Sequence, residues 1–203
     1  MRRRVDLVVA GVGGQGVLAL SRVIGVAALM EGYDVKIAEV HGMAQRGGSL
    51  VTHVRIGGAV LSPLIPRFSA DVLVSLEALE AARHLALLRP GGLLATDDYV
   101  LPPTGLSSRA PDVLSAIRGL GRYRVEVVRA REVALRLGEV RAANMVMLGF
   151  LVSCSAIPIS KSSAIEALRS ELPARYLEVN LRAFNAGYEL GRRKGFIKPQ
   201  GTS

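Results

Sequence analysis

The sequence predicts an α/β fold: a Rossmann-like, mostly parallel sheet flanked by helices, with a β-hairpin insertion and a helical C-terminal part. Three observations lead to this prediction. Short apolar runs alternate with segments of helical periodicity, the first of these runs ends in a glycine-rich turn, and helical spacing dominates after residue 130. Nearly continuous apolar strands are typical of a parallel sheet that helices cover on both faces.

The first predicted unit is a strand, a glycine-rich turn and a helix. Residues 5–10 form an apolar run that ends at glycines. Residues 14–30 repeat apolar side chains at helical spacing until Gly32 ends the helix. Residues 35–40 then predict a second strand. This succession is a strand–helix–strand unit, for which we expect parallel strands and a right-handed crossover.

Residues 49–56 predict the antiparallel insertion. Their side chains alternate between two faces, with Leu50, Thr52, Val54 and Ile56 on one face and Val51, His53 and Arg55 on the other. The pair Gly57-Gly58 suits a tight hairpin turn into residues 59–61.

The rest of the chain completes one domain, because 203 residues suffice to bury a single sizeable core. We expect this domain to span residues 1–203. Further strands are predicted at 71–75, 93–96 and 123–128, and helices at 77–88, 130–137, 142–153, 162–172 and 175–193. Residues 101–111 are rich in Pro, Gly and Ser and predict a surface loop.

The composition excludes several classes of function. The one cysteine, Cys154, allows no intrachain disulfide and no four-cysteine zinc or iron–sulfur site, and it favours the cytoplasm. The three histidines lack metal-ligand spacing, so no metal site is predicted. Every apolar stretch is broken before 18 residues, which argues against a membrane span. A net charge of +9 is scattered and accompanied by only 4% aromatic residues, which favours acidic partner chains or an anionic cofactor over nucleic acid.

The first motif is the glycine-rich turn. Gly11, Gly13 and Gly16 follow a strand and open a helix, as a dinucleotide fingerprint requires. Glu39 ends the second predicted strand, where an acid that binds a ribose would lie. Two interpretations stay open from these residues: the glycines serve a dinucleotide, or they only make a tight turn.

The second motif spans residues 39–49 and concentrates chemical groups. It carries the carboxylate of Glu39, the imidazole of His41, the amide of Gln45, the guanidinium of Arg46 and the hydroxyl of Ser49. In a parallel sheet this loop leaves the carboxyl end of the second strand, beside the first glycine turn, where ligands usually bind. We therefore favour a ligand or interface role. No triad of nucleophile, base and acid can be identified by spacing.

The two motifs together resemble the gamma module of 2-oxoacid:ferredoxin oxidoreductases, and most closely the beta subunit of indolepyruvate ferredoxin oxidoreductase. The matching segments are Gly11-Val-Gly-Gly-Gln-Gly-Val17 and Glu39-Val-His-Gly-Met-Ala-Gln-Arg-Gly-Gly-Ser49. The resemblance continues through Ser69-Ala-Asp-Val-Leu-Val74, Leu88-Arg-Pro-Gly-Gly92, Asn144 and Asn180-Leu-Arg-Ala-Phe184. It covers essentially the whole chain.

The resemblance implies a non-cluster subunit of an enzyme that oxidatively decarboxylates indolepyruvate or another aryl pyruvate to an acyl-CoA, with ferredoxin as electron acceptor. Thiamine diphosphate, magnesium and iron–sulfur clusters would sit on a larger alpha subunit, and coenzyme A would be a co-substrate. This chain would bind no cofactor tightly and would be inactive alone. The alternatives are a gamma subunit of a pyruvate, 2-oxoisovalerate or 2-oxoglutarate enzyme, a free-standing dinucleotide-binding dehydrogenase, and a purely structural interaction module. A homodimer of the isolated chain is left open.

The resemblance also implies site residues. The candidate active-site contacts are His41, Gln45 and Arg46, and the candidate cofactor-binding residues are Gly11, Gly13, Gly14, Gln15, Gly16 and Ser49. We expect Gln15 and the amides of Gly13 and Gly14 to meet an anionic group at the helix N-terminus. Arg46 is expected to hold a carboxylate or a phosphate.

Overall fold

The computed structural model describes residues 4–42, 47–102 and 110–194. The strands are β1 (Val5–Val12), β2 (Asp34–His41), β3 (Ser49–Gly57), β4 (Ala70–Ser75), β5 (Leu88–Thr96) and β6 (Arg124–Val127). The helices are α1 (Val17–Met30), α2 (Ala78–His84), α3 (Ala110–Gly119), α4 (Ala130–Arg136), α5 (Ala143–Ser153), α6 (Lys161–Glu171) and α7 (Ala174–Arg193). Short 3-10 turns cover Leu85–Leu87 and Val140–Ala142.

A mixed sheet of six strands organises these elements in the order β2-β3-β1-β4-β5-β6. The ladders β1–β4, β4–β5 and β5–β6 are parallel, whereas β3 runs antiparallel to both of its neighbours. Five of the six strands therefore point the same way. The predicted α/β fold with a mostly parallel sheet is confirmed.

The prediction for the first strand–helix–strand unit is partly wrong. Strands β1 and β2 point in the same direction, but β3 lies between them, and β2 forms the edge of the sheet. Burial explains the order. Residues 51–57 of β3 are all buried, whereas β2 carries the charged residues Asp34, Lys36 and Glu39 and is exposed or half-buried throughout. Charged side chains suit an edge strand.

The predicted hairpin partner is also wrong. Strand β3 pairs with β2 from Ser49 to Gly57, so β2 is the hairpin partner of β3, and residues 58–61 form no strand. The reason is geometric, because β1 and β2 already occupy both edges of β3. The predicted alternation within β3 is confirmed: Thr52 faces Ser21 of α1, while Arg55 lies on the opposite face beside Asp6.

Helices cover both faces of the sheet and enclose two apolar clusters. On one face, residues such as Leu7 and Val74 pack with α1, α5, α6 and α7. On the other face, Leu73 and Leu94 pack with α2 and α3. The sequence pattern did not predict α3, whose Leu114 and Ile117 complete the second cluster.

Helices α5 and α7 pack against each other through direct backbone contact. Helix α5 is buried along most of its length and crosses α7 at glycines. A Cβ atom built on Gly187 would lie 1.9 Å from the carbonyl oxygen of Val146, and one on Gly149 would lie 2.0 Å from that of Phe184. The two helix backbones are therefore in direct contact. Among the helices in the described ranges, none is long and apolar enough to cross a lipid bilayer.

Candidate functional site

The glycine turn between β1 and α1 lies at the carboxyl edge of the parallel strands. Gly14 and Gly16 have φ angles of 102° and 82°, which favour glycine because other residues are strained there. The Gln15 side-chain oxygen accepts a 2.8 Å hydrogen bond from the Val12 amide. A Cβ on Gly11 would lie 2.8 Å from that same oxygen. Gln15 thus braces the turn with its oxygen, and its remaining polar group is the amide NH₂.

Asn144 of α5 holds the turn from the opposite side. Its side-chain amide nitrogen donates a 3.1 Å hydrogen bond to the carbonyl oxygen of Gly16. The residue is only 4% exposed, and its Oδ1 has no hydrogen-bond partner among the described residues. A buried acceptor left unpaired is costly, so this oxygen is available to a ligand donor. Asn144 lines a cavity of about 170 Å³ together with Tyr176 and Asn180 of α7.

The structure brings the ends of the two motifs together. The Gly13 amide donates a 2.9 Å hydrogen bond to the carbonyl oxygen of Gly48, so the second loop returns against the glycine turn. His41 is exposed at the end of β2, with its Nδ1 atom 3.3 Å from the carbonyl oxygen of Gly42. The predicted contacts Gln45 and Arg46 lie outside the described residues.

Glu39 does not lie where a ribose-binding acid is needed. In a dinucleotide fold the strand with that acid is directly beside β1. Here Glu39 pairs with Thr52 of β3, and Thr52 in turn pairs with Val9 of β1. Two strand spacings, about 10 Å, therefore separate Glu39 from β1. The order of the strands contradicts the dinucleotide interpretation.

Ser49 is engaged with helix α2. Its hydroxyl donates to a carboxylate oxygen of Glu80 and lies 3.2 Å from Nε2 of His84. The other Glu80 oxygen accepts a 3.0 Å hydrogen bond from Arg83. Burial raises the pKa of Glu80, but the hydrogen bonds from His84, Ser49 and Arg83 outweigh it and leave this pKa below its ordinary value. Ser49 therefore anchors the start of β3 beside the turn.

A small cleft of about 80 Å³ opens between the glycine turn and the carboxyl ends of β4 and β5. Its lining comprises Gly14, Gln15, Leu76, Asp97, Tyr99, Arg131, Val140, Arg141 and Ala143. The Arg131 guanidinium carbon lies 4.4 Å from the centre of the Tyr99 ring. Arg141 is exposed and pairs with Glu139 at 3.0 Å. The cleft is smaller than most cofactor pockets and matches one phosphate or carboxylate group.

Sequence reasoning missed Tyr99 and Arg131. Neither residue belongs to a glycine-rich motif, and Arg131 is more than 100 positions from the turn. A usable signal was nevertheless present. Both follow strands that were predicted, residues 93–96 and 123–128, and the carboxyl ends of parallel strands meet at one edge.

Asp97 links the cleft to helix α4. It is 1% exposed, and its two carboxylate oxygens each accept a 2.8 Å hydrogen bond, from the amides of Asp98 and Arg131. Burial raises the pKa of Asp97 to about 6, against an ordinary value of 3.8. Its protonation state therefore changes near neutral pH.

We predict that the titration of Asp97 lowers the free energy of unfolding as the pH rises. Between about pH 4 and pH 6 the folded chain retains a proton that the unfolded chain has lost, so unfolding becomes easier with increasing pH. The loss should reach about 2–3 kcal/mol. Urea unfolding across this range measures it, with Asp97→Asn as the control that cannot titrate. Parallel profiles for the two proteins would contradict the assignment.

Comparisons with known proteins agree with this architecture. The chain matches the sequence model of the pyruvate ferredoxin/flavodoxin oxidoreductase family over residues 6–190. It is 40% identical over 190 residues to an indolepyruvate oxidoreductase subunit IorB from Archaeoglobus fulgidus, and the match covers 91% of this chain and 94% of that protein.

Two solved structures share the fold. The keto/oxoacid ferredoxin oxidoreductase gamma subunit from Geobacter sulfurreducens has a TM-score of 0.72 and 25% identity, covering 93% of this chain and 99% of its own. The 2-oxoglutarate:ferredoxin oxidoreductase from Magnetococcus marinus, solved with 2-oxoglutarate, coenzyme A and succinyl-CoA bound, has a TM-score of 0.76 and 20% identity. The match spans all of this chain but 33% of that longer chain. The same fold thus occurs as a separate subunit and as one third of a larger polypeptide.

Proposed function

This chain belongs to the pyruvate ferredoxin/flavodoxin oxidoreductase family and is a small subunit of a 2-oxoacid ferredoxin oxidoreductase, and we propose that its complex acts on indolepyruvate or another aryl pyruvate. The observation that carries this substrate is the 40% identity, over nearly the full length of both chains, to a protein named for indolepyruvate. The reaction would consume the 2-oxoacid and coenzyme A and yield an acyl-CoA, CO₂, one proton and two electrons that reduce ferredoxin.

The proposal assigns the redox chemistry to a larger partner subunit. Iron–sulfur clusters need several cysteine thiolates, and this chain has one cysteine. Cys154 is buried, and burial raises its pKa to about 11, which disfavours the thiolate that binds metals. Decarboxylation and electron transfer are therefore chemistry that thiamine diphosphate, magnesium and iron–sulfur clusters on the partner would supply.

The small cleft is the proposed contribution of this chain. We assign it an anionic group of coenzyme A, most simply a phosphate. Arg131 is half-buried and its guanidinium lies over the Tyr99 ring, which would hold it in place to form two parallel hydrogen bonds with phosphate oxygens. Gly14 lines the same cleft, at the N-terminal end of α1, where the helix dipole favours negative charge.

The residues around the cleft would orient coenzyme A rather than transform it. Asn144 lines the neighbouring cavity of about 170 Å³ rather than the cleft, and it would offer its unpaired Oδ1 acceptor to a donor such as an amide N–H of the ligand. Arg46 is proposed to hold a carboxylate or phosphate, and His41 and Gln45 are proposed to contact the reacting molecules from the second loop. The cleft encloses one small group only, so the remaining walls of the site would come from the partner.

Co-expression with the larger subunit tests the proposal. The purified complex should form an acyl-CoA from indolepyruvate faster than from pyruvate, 2-oxoisovalerate or 2-oxoglutarate, and the isolated chain should form none. A preference for one of the other acids would reassign the substrate. An isolated chain that binds NADH at micromolar concentration and captures no partner would instead support a free-standing dehydrogenase.

A further inference from the structure

Glu77 is a buried carboxylate that follows β4 and comes directly after Leu76 of the cleft lining. The residue is 1% exposed, and no salt bridge joins it to a cation among the residues that the structure describes. Burial raises the pKa of its carboxyl group. Because burying a charge without a cation is costly, a carboxylate at this depth needs hydrogen bonds to both of its oxygens.

The two oxygens of Glu77 bond the amides of two different segments. Oε2 accepts a 2.7 Å hydrogen bond from the Glu80 amide, which caps the N-terminus of α2. Oε1 accepts a 2.9 Å hydrogen bond from the Leu101 amide, 24 positions away in the chain. Capping alone is usually performed by the shorter side chains of serine, threonine, aspartate or asparagine. The longer glutamate side chain also reaches a second segment, which distinguishes it from an ordinary cap.

This second segment, residues 97–101, carries the Tyr99 ring of the cleft. The start of α2 bonds its backbone at another point as well, because the Ala78 amide donates a 2.9 Å hydrogen bond to the carbonyl oxygen of Tyr99. Two neighbouring residues, Glu77 and Ala78, therefore bond the segment at Tyr99 and at Leu101. Together they fix the backbone from which the Tyr99 ring extends.

The Tyr99 ring in turn supports Arg131. The guanidinium carbon of Arg131 lies 4.4 Å from the centre of the ring. The backbone of Arg131 is fixed separately, since its amide donates to a carboxylate oxygen of Asp97. The two parts of Arg131 are thus held by different groups. A change at Glu77 would reach the guanidinium through the ring and leave the bond to Asp97 intact.

We propose that Glu77 is a positioning residue for coenzyme A: it fixes residues 97–101 so that the Tyr99 ring holds the Arg131 guanidinium toward the anionic group in the cleft. The inference rests on the proposed function, since it requires that the cleft binds coenzyme A. Glu77 itself does not line the cleft. It should therefore affect the affinity for coenzyme A and not the chemical step.

Steady-state kinetics of the reconstituted complex with Glu77→Gln tests the inference. Glutamine has nearly the same shape, but it has one carbonyl oxygen for two amides, and its NH₂ group opposes the other amide. The KM for coenzyme A should rise about tenfold, while kcat at saturating coenzyme A and the KM for the 2-oxoacid stay unchanged. Glu31→Gln is the matched control, because the Glu31 carboxylate accepts from the Ser160 amide at the far end of α1, and it should change none of these constants.

A double-variant cycle distinguishes positioning from a purely structural role. In an Arg131→Ala background, Glu77→Gln should not raise the KM for coenzyme A further, because it acts through Arg131. If the two effects multiply, Glu77 acts by another route, such as the cap of α2, and the inference is overturned while the proposed function stands. If Arg131→Ala alone leaves this KM unchanged, the proposed function fails together with the inference.

Hydrogen exchange of the purified complex supplies a measurement that does not depend on catalysis. The Leu101 amide should exchange about tenfold faster in Glu77→Gln than in wild type, whereas the Arg131 amide should keep its protection. Unchanged exchange across residues 97–101 would overturn the inference. A Glu77→Gln chain that does not fold would overturn it too, because the carboxylate would then serve the stability of the whole domain.

Discussion

Replacing Gly187 by alanine is expected to destabilise the chain by about 3 kcal/mol. The added Cβ would lie 1.9 Å from the carbonyl oxygen and 2.7 Å from the carbonyl carbon of Val146. Both atoms belong to the backbone, so no side-chain rotation relieves the clash. Helices α5 and α7 would have to separate, which would also displace Asn144 from the glycine turn.

Gly119→Ala provides the matched control for this substitution. Gly119 ends α3, and a Cβ built there meets nothing within 4 Å. Alanine in a helix should be neutral or stabilising by about 0.5–1 kcal/mol at this position. Urea unfolding of the two variants measures the difference. Equal stabilities would contradict the direct backbone contact between α5 and α7.

Gly16→Ala should lower the free energy of unfolding and weaken the binding of coenzyme A. Gly16 has a φ of 82°, and its added Cβ would lie 2.3 Å from the side-chain nitrogen of Asn144. The strain and the displaced hydrogen bond together should cost about 2–4 kcal/mol. The turn would also move away from the cleft, so the KM for coenzyme A in the reconstituted complex should rise about tenfold or more.

Two controls separate strain from collision at this position. Gly14→Ala places a Cβ at a φ of 102° with nothing within 4 Å, so it should show the backbone strain alone. Combining Gly16→Ala with Asn144→Ala removes the collision, and the double variant should lose less stability than the sum of the single variants. Additive losses would mean that Asn144 does not hold the turn.

The sequence predicts the glycine turn well because its signals are local. The apolar run of β1, the glycines and the helical spacing of α1 all lie within 30 residues. The position of β3 between β1 and β2 could not be predicted in this way. The strand carries three buried polar residues whose hydrogen-bond partners come from other elements. Thr52 bonds Ser21, His53 accepts from the Ile65 amide, and Arg55 donates to Asp6.

In the candidate site, too, local features could be predicted from the sequence, whereas features that depend on tertiary contacts could not. The two motifs were expected to meet because β2 would lie beside β1 in a parallel sheet, but the contact between Gly13 and Gly48 comes from β3, which runs antiparallel to β1 and pairs Ser49 with Val12. The contact between Ser49 and Glu80 could not be predicted from the sequence, because α2 begins almost 30 residues after Ser49. Arg131 and Tyr99 come from separate loops that only the folded sheet brings to the turn.

The central claim is that this chain supplies a binding wall for coenzyme A to an enzyme whose redox cofactors lie on its partner. The most direct test is the rate of acyl-CoA formation by the reconstituted complex as a function of coenzyme A concentration, compared between Arg131→Ala and Arg136→Ala. Arg136 is the control because it lies on the same helix, exposed and paired with Glu132. We predict that Arg131→Ala raises the KM for coenzyme A about tenfold to 100-fold, with the KM for the 2-oxoacid unchanged, and that Arg136→Ala changes neither. An unchanged KM for coenzyme A in Arg131→Ala, or a change confined to the 2-oxoacid, would contradict the account.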